Sequence, residues 1–231
     1  MASGRLSRPG WKILGGLAVV ALAAWGLPRL LGDSEFFRVR RLELRGVEHL
    51  PAMDVAEALP LDSVSSVFDG LGVIKAAAES IPGLEEVRVG RRLPGTIVVT
   101  VREVPPVALV MSRGRLRLVE EHGRVLPFDP SFSAPDLPVI RGVPDSMVTQ
   151  LLARVREADP TFFGRVESAW RVGPDVALSV EEQRYLFQPG SPAEVIRAVM
   201  LVEQDLTQRG RRWAELDGRF SGQVVVRWGG A

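Results

Sequence analysis

The chain has 231 residues, 46% hydrophobic and 25% charged, with 29 basic against 28 acidic side chains and a formal net charge of +1. That composition excludes a disordered chain and allows one or two domains. The charge balance excludes a general polyanion binder, and the absence of cysteine excludes disulfide scaffolds, thiolate metal sites and Cys nucleophiles.

The first element predicted is a membrane anchor. Arg5, Arg8 and Lys12 precede residues 13–27, which carry no charge. That stretch as a helix rises about 22 Å, short of a hydrocarbon core of roughly 30 Å. Lys12 and Arg29 can snorkel, Trp11 and Trp25 suit the interfaces, and Leu30-Leu31 extend the apolar run. The expectation is a cytoplasmic tail at 1–11 and a transmembrane anchor at 12–31. Two rivals stand beside it: a signal peptide cleaved near Ala21–Ala23, and a buried soluble helix, which lacks any polar face. Arg29, Arg38, Arg40 and Arg41 beyond the span balance the count before it. The N-in, C-out orientation therefore rests on the usual arrangement of a short tail and a large domain.

A small domain follows, over 36–105. Val39, Leu42 and Leu44 predict a strand, with the alternation slipping at Arg40-Arg41 as at a bulge. Pro51 opens a short helix through residue 59. Ile74, Ala77, Ala78 and Ile81 space a second helix, which Pro82 ends. "LEEVRVGRRLPGTIVVTVREVPP" reads as two strands around the "LPGT" turn, with Ile97, Val99 and Val101 on one face. The order β-α-α-β-β predicts a sheet covered by two helices.

Residues 106–231 read as a mixed sheet with two helices. Strands are predicted around the turns "SRGR" and "EHGR" and at 137–141, then three more joined by "GPD" and "EQR". One helix spans 145–158, with Val148, Leu151, Leu152 and Val155 on its apolar face. The other begins at a capping box of Ser191, Pro192 and Glu194. Its stripe is Val195, Val199, Val202 and Leu206, and Gly210 stops it. "RWAELDGRF" and "GQVVVRW" close the sheet. In the last strand Val224, Val226 and Trp228 fall on one side and Val225 and Arg227 on the other, leaving an apolar edge with only Gly229, Gly230 and Ala231 after it.

No nucleophile, metal or phosphate motif appears. His49 and His122 are expected in exposed loops. The pairs Glu85-Glu86, Glu120-Glu121 and Glu181-Glu182 are expected at solvated turns or strand ends, since neighbours on a strand face opposite ways. No catalytic, cofactor-binding or metal residue is expected, so the chain is not read as an enzyme. The arginine groups 113/115/117 and 209/211/212 lack interleaved aromatics and are read as solvated faces, not as nucleic-acid sites. Arg88, Arg91 and Arg92 could instead face lipid headgroups or an acidic partner.

Several stretches resemble a known family. "IPGLEEVRVGRRLPGTIVVTVREVPPVALV" looks like the second half of a POTRA domain of the FtsQ/DivIB family. "LRLVEEHGRVLPF", "LPVIRG" and "LDGRFSGQVVVRW" resemble successive segments of that family's β domain. Gly218 departs from the pattern, standing where the family usually has Leu, so the register before Phe220 is open. The resemblance implies a non-enzymatic bitopic inner-membrane protein with its domains outside, enriched at the division septum. It implies binding of FtsB and FtsL through the last strand, other divisome partners for the POTRA domain, and a part in septal peptidoglycan synthesis. By position the partner site is Arg219, Phe220, Ser221, Gly222, Val224, Val225, Val226, Arg227 and Trp228, with Phe220 and Trp228 as anchors and the backbone of 222–227 as template. The alternatives are a POTRA-bearing transport or outer-membrane assembly factor, and an anchored hydrolase. The first lacks repeated modules and a barrel, and the second lacks a catalytic constellation.

Overall fold

The computed structural model describes residues 35–62, 65–133 and 136–229. The expected tail and anchor, and the rival signal peptide, lie outside the described residues. Among those described, no helix is long and apolar enough to cross a membrane. The fold is mixed α+β, with few helices and a three-stranded and an eight-stranded sheet. The chain divides into two compact units. Of the described residues, one holds 35–47 and those within 52–102, and the other holds Glu48–Pro51 and those from Glu103 onward.

The first unit is built from β1 (Arg41–Arg45), α1 (Ala52–Glu57), α2 (Leu71–Glu79), β2 (Leu84–Arg92) and β3 (Thr96–Glu103). The sheet order is β1-β3-β2, with β1 parallel to β3. Alternation along β3 buries Ile97, Val99 and Val101 against Ile74 and Ala78 of α2. At the predicted slip, the N–H groups of Arg40 and Arg41 both donate to the Gly95 carbonyl, at 2.8 and 3.1 Å. Two residues facing one is the signature of a bulge.

In the second unit the strands are β4 (Pro106–Ser112), β5 (Arg115–Glu120), β6 (Val139–Ile140), β7 (Ser168–Val172), β8 (Asp175–Val180), β9 (Gln183–Phe187), β10 (Glu215–Asp217) and β11 (Val225–Arg227). They lie in the order β11-β10-β9-β8-β7-β6-β4-β5. Helices α3 (Ser146–Ala158) and α4 (Ala193–Gln208) contribute to the core. Cross-strand partners make one continuous row: Arg117, Val110, Ile140, Ala169, Leu178, Tyr185, Leu216 and Val226. Its apolar members from Val110 to Leu216 are buried in a core shared with Val148, Leu151, Leu152 and Val155 of α3. Because successive side chains alternate, the adjacent residues face the other way. There the row runs from Leu118 and Leu109 to Arg184, Glu215 and Arg227.

Several expectations are corrected here. The strand predicted at 137–141 is two residues long, because Pro138 has no N–H to donate and Gly142 turns away with φ of 107°. The capping box at Ser191 does not form. Pro192 is itself the extended N-cap, so Ser191 precedes the cap and Glu194 stands at the wrong spacing; no side chain caps the helix. The buried stripe of α4 is Ile196, Val199, Glu203 and Leu206, with Val195 and Val202 half-buried beside it. Glu203 can turn inward because Arg165 grips both its oxygens, at 2.8 and 3.0 Å.

His49 is not an exposed loop residue. Its ring stacks on Phe128, and Nδ1 lies 2.8 Å from the buried Glu103 carboxylate. Glu103 also accepts the backbone N–H groups of Glu48, His49 and Leu50 at 2.8–3.1 Å, which explains why this segment groups with the second unit. Glu120 is not solvated either. Burial alone would raise its carboxyl, but hydrogen bonds from Arg124, His122 and their backbone N–H groups outweigh this and hold it at about 2.

Candidate functional site

The predicted site lies at the sheet edge formed by β11, which among the described residues has one strand neighbour, the antiparallel β10. The ladder covers Val225–Arg227 only. Of the stretch 222–227 expected as a template, Val225–Arg227 is regular strand. Phe220–Gln223 forms a turn, closed by Gln223 N–H to the Phe220 carbonyl at 3.4 Å, with Gly222 at φ of 74°. Ser221 and Gly222 are exposed at this turn.

The two faces of the edge differ. Val224 and Val226 turn toward the helices and pack, half-buried, on the main core. The other face carries charge. Arg184, Glu215 and Arg227 are cross-strand partners on β9, β10 and β11. The Glu215 side chain is buried; Arg184 donates to it, and Arg227 Nε approaches Oε1 at 3.2 Å. Arg227 keeps 60% of its side chain exposed at the open edge.

Arg219 serves the fold. Its guanidinium binds Asp217 at 2.6 and 2.8 Å and Asp175 at 2.8 Å, and its N–H also reaches Asp217. Burial would raise the Asp217 carboxyl, but the Arg219 bonds outweigh it and hold the carboxyl below its usual range. The same bonds raise the guanidinium further. This network ties the end of β10 to β8, so Phe220 leaves the sheet in a defined direction. Gln188 Nε2 adds a bond to the Arg219 carbonyl at 2.9 Å.

Gly218, the departure from the expected pattern, has a packing cause. It follows β10 and donates to the Leu186 carbonyl at 2.9 Å. A Cβ there would stand 2.7 Å from Cγ2 of Val199 on α4, and 3.4 Å from Phe187. A side chain at 218 would have to displace the Val199 methyl.

Phe220 and Trp228 are 45% and 54% exposed. The Arg219 guanidinium lies 6.0 Å from the Phe220 ring centre, and that of Arg211 lies 5.7 Å from Trp228. Phe220, Gly222 and Val224 face Val195, Ala198 and Val202 of α4 across an open groove of about 500 Å³. The edge strand thus borders an apolar recess. Phe220, Val225, Arg227 and Trp228 come to the surface, Val224 and Val226 turn inward, and Arg219 is spent on internal acids. Sequence reasoning missed Glu215, Asp217 and Arg184. The only signal was a pair of acids two apart in "ELD", which fall on one strand face.

The other sequence candidates are dispersed. Arg88 pairs with Glu86 and Arg92 with Glu43, which offsets positive charge there, while Arg91 stands over the Phe68 ring. His122 is exposed and bonds Glu120 at 2.9 Å. Among the described residues no cluster of His, Asp or Glu is arranged to hold a metal ion.

These features define a mixed α+β protein with an open strand edge, charged on one face and continuous with an apolar groove. No family model matches the chain. It is 29% identical over 176 residues to the cell division protein FtsQ of Zymomonas mobilis, covering 70% of this chain and 53% of that protein. It is 25% identical over 203 residues to FtsQ of Caulobacter vibrioides, covering 83% and 64%, and 30% identical over 179 residues to FtsQ of Streptomyces collinus, covering 75% and 65%. The chain is a relative of the FtsQ cell division proteins, and it spans 53% to 65% of the length of these three. The extracytoplasmic domain of the division protein DivIB from Geobacillus stearothermophilus is 19% identical with a TM-score of 0.33, covering 46% of this chain and 96% of that one. A likeness that slight carries no argument.

Proposed function

We propose that this chain is a non-enzymatic divisome protein whose C-terminal edge takes up a strand from a partner of the FtsB kind, acting together with FtsL. Residues 12–31 anchor it in the inner membrane with the folded units outside. The first unit, in the order β-α-α-β-β, serves as a POTRA domain, and the protein helps to recruit and regulate septal peptidoglycan synthesis. The observation that carries the reading is the edge itself: among the described residues β11 has one neighbour, and its exposed flank is bordered by Phe220, Trp228 and the α4 groove. An added strand gains affinity from backbone hydrogen bonds and specificity from alternate side chains.

The test is binding of the purified protein to an FtsB-like coiled-coil partner. Phe220→Ala and Trp228→Ala are each expected to weaken binding by at least tenfold, about 1.4 kcal/mol or more, as buried aromatic anchors do. Unchanged affinity in both variants, with thermal unfolding also unchanged, removes the edge-strand site.

A further inference from the structure

The eight-stranded sheet has a second edge. At β5 the later half is covered: Leu126 N–H donates to the Leu118 carbonyl at 2.8 Å, and Glu120 N–H to the Arg124 carbonyl at 3.0 Å. Leu118 and Glu120 therefore direct backbone groups outward, and by the alternation of an antiparallel strand so does Leu116, two residues earlier. No strand meets Leu116 on that side among the described residues.

Arginines gather at this uncovered stretch. Arg113 and Arg115 are exposed and make no ion pair among the described residues. Arg117 gives Nη2 to the Leu126 carbonyl at 3.4 Å, while its Nε is buried without a partner. Arg115 and Arg117 border two recesses. One, of about 890 Å³, has Leu109, Met111, Leu116 and Phe128 among its lining; the other, of about 490 Å³, is lined by all three arginines with Val125. Met111 and Leu116 are 57% and 41% exposed.

Arginines on an edge often serve only to repel other strands. Here they border an apolar groove large enough for side chains, and a guard needs no such groove. We propose that β5 is a second docking edge, which takes an extended peptide segment of alternating acidic and apolar residues. Its backbone pairs with Leu116, its apolar side chains enter the groove over Met111 and Leu116, and its carboxylates meet Arg115 and Arg117. An anionic membrane surface fits less well. Asp129 stands in the groove wall and repels a continuous sheet of negative charge, whereas separate carboxylates at alternate positions avoid it.

The full chain is titrated with a synthetic peptide alternating Glu and Val, with its Lys–Val counterpart, and with vesicles containing phosphatidylglycerol. The Glu peptide is expected to bind at least tenfold tighter than the Lys peptide and to protect the Leu116 amide from hydrogen exchange. Arg115→Glu should weaken it about tenfold, a loss typical of one reversed charge pair at an interface. Leu116→Pro should abolish binding, since it removes an outward N–H and no internal ladder bond. Arg115→Ser covers the case in which a reversed charge disturbs the hairpin, and thermal melts verify folding. The proposal is overturned by absence of binding at millimolar peptide, by equal binding of the two peptides, by affinity that survives all three variants, by protection confined to Val225–Arg227, or by binding to vesicles alone.

Discussion

Gly218→Ala tests the packing that directs the chain into the candidate site. The new methyl stands 2.7 Å from Cγ2 of Val199 and 3.4 Å from Phe187, both fully buried. Val199 is β-branched in a helix, so its rotamer is effectively fixed and it cannot swing aside. Overpacking of this kind costs roughly 1–3 kcal/mol. Gly218 is not in the left-handed region, so alanine recovers about 0.4–1 kcal/mol by restricting the unfolded chain. The net expectation is a loss of about 1–2 kcal/mol, read as a shift of the urea midpoint at constant slope.

Val199→Ala alone opens a cavity and costs about 2 kcal/mol. The two changes together relieve the clash, so the double variant should be more stable than the sum of the single effects by about 1 kcal/mol. Additivity within about 0.3 kcal/mol would refute the reasoning, because the contact with Val199 would then not be what selects glycine.

Three further outcomes follow from the buried charges. Glu120 is held at about 2 against 4.5 for a free carboxyl. Its stabilisation is therefore complete above about pH 4.5 and is lost as the pH falls from there toward 2, on the order of 1–3 kcal/mol after screening of its exposed partners. Urea unfolding at about pH 6 and pH 3 should show the gap between native and Glu120→Gln closing at the lower pH; a constant gap counts against it. Arg165→Ala leaves Glu203 without its bidentate partner and should cost about 1–3 kcal/mol, while Arg165→Met with Glu203→Leu should cost under about 1 kcal/mol by calorimetry. Asp217→Asn keeps the shape but weakens the hold on Arg219; it should cost about 1–3 kcal/mol in urea titrations and weaken partner binding through Phe220.

The fold was readable wherever periodicity met a buried face. Val148, Leu151, Leu152 and Val155 kept helical spacing, and Ile97, Val99 and Val101 kept strand spacing; all seven are buried. Local signals failed where a distant partner decided the outcome. Glu203 stands outside the stripe expected for α4 and is buried only because Arg165, 38 positions away in sequence, pairs with it. His49 reads as a loop residue until Glu103, 54 positions away, and Phe128 enclose it. The open edge was legible from its apolar alternation, but its charged face was not. Arg184, Glu215 and Arg227 become neighbours only through a parallel and an antiparallel pairing that no local pattern specifies.

That charged face bears on why the edge can stay open. A three-residue strand has too little ladder to hold itself, so β11 depends on Val224 and Val226 packing inward and on Arg227 reaching Glu215. An open apolar edge invites indiscriminate pairing, and a charge at the edge opposes it. Arg227 supplies that charge while its partner Glu215 lies inside the sheet, so the positive end of the pair faces outward. A second copy of β11 in antiparallel register around Val226 would bring Val225 and Arg227 opposite one another, with the two arginines diagonally close on one face. A strand of different sequence need not meet that repulsion. The same arginine that steadies the last strand thus disfavours self-pairing and leaves the edge available to a partner.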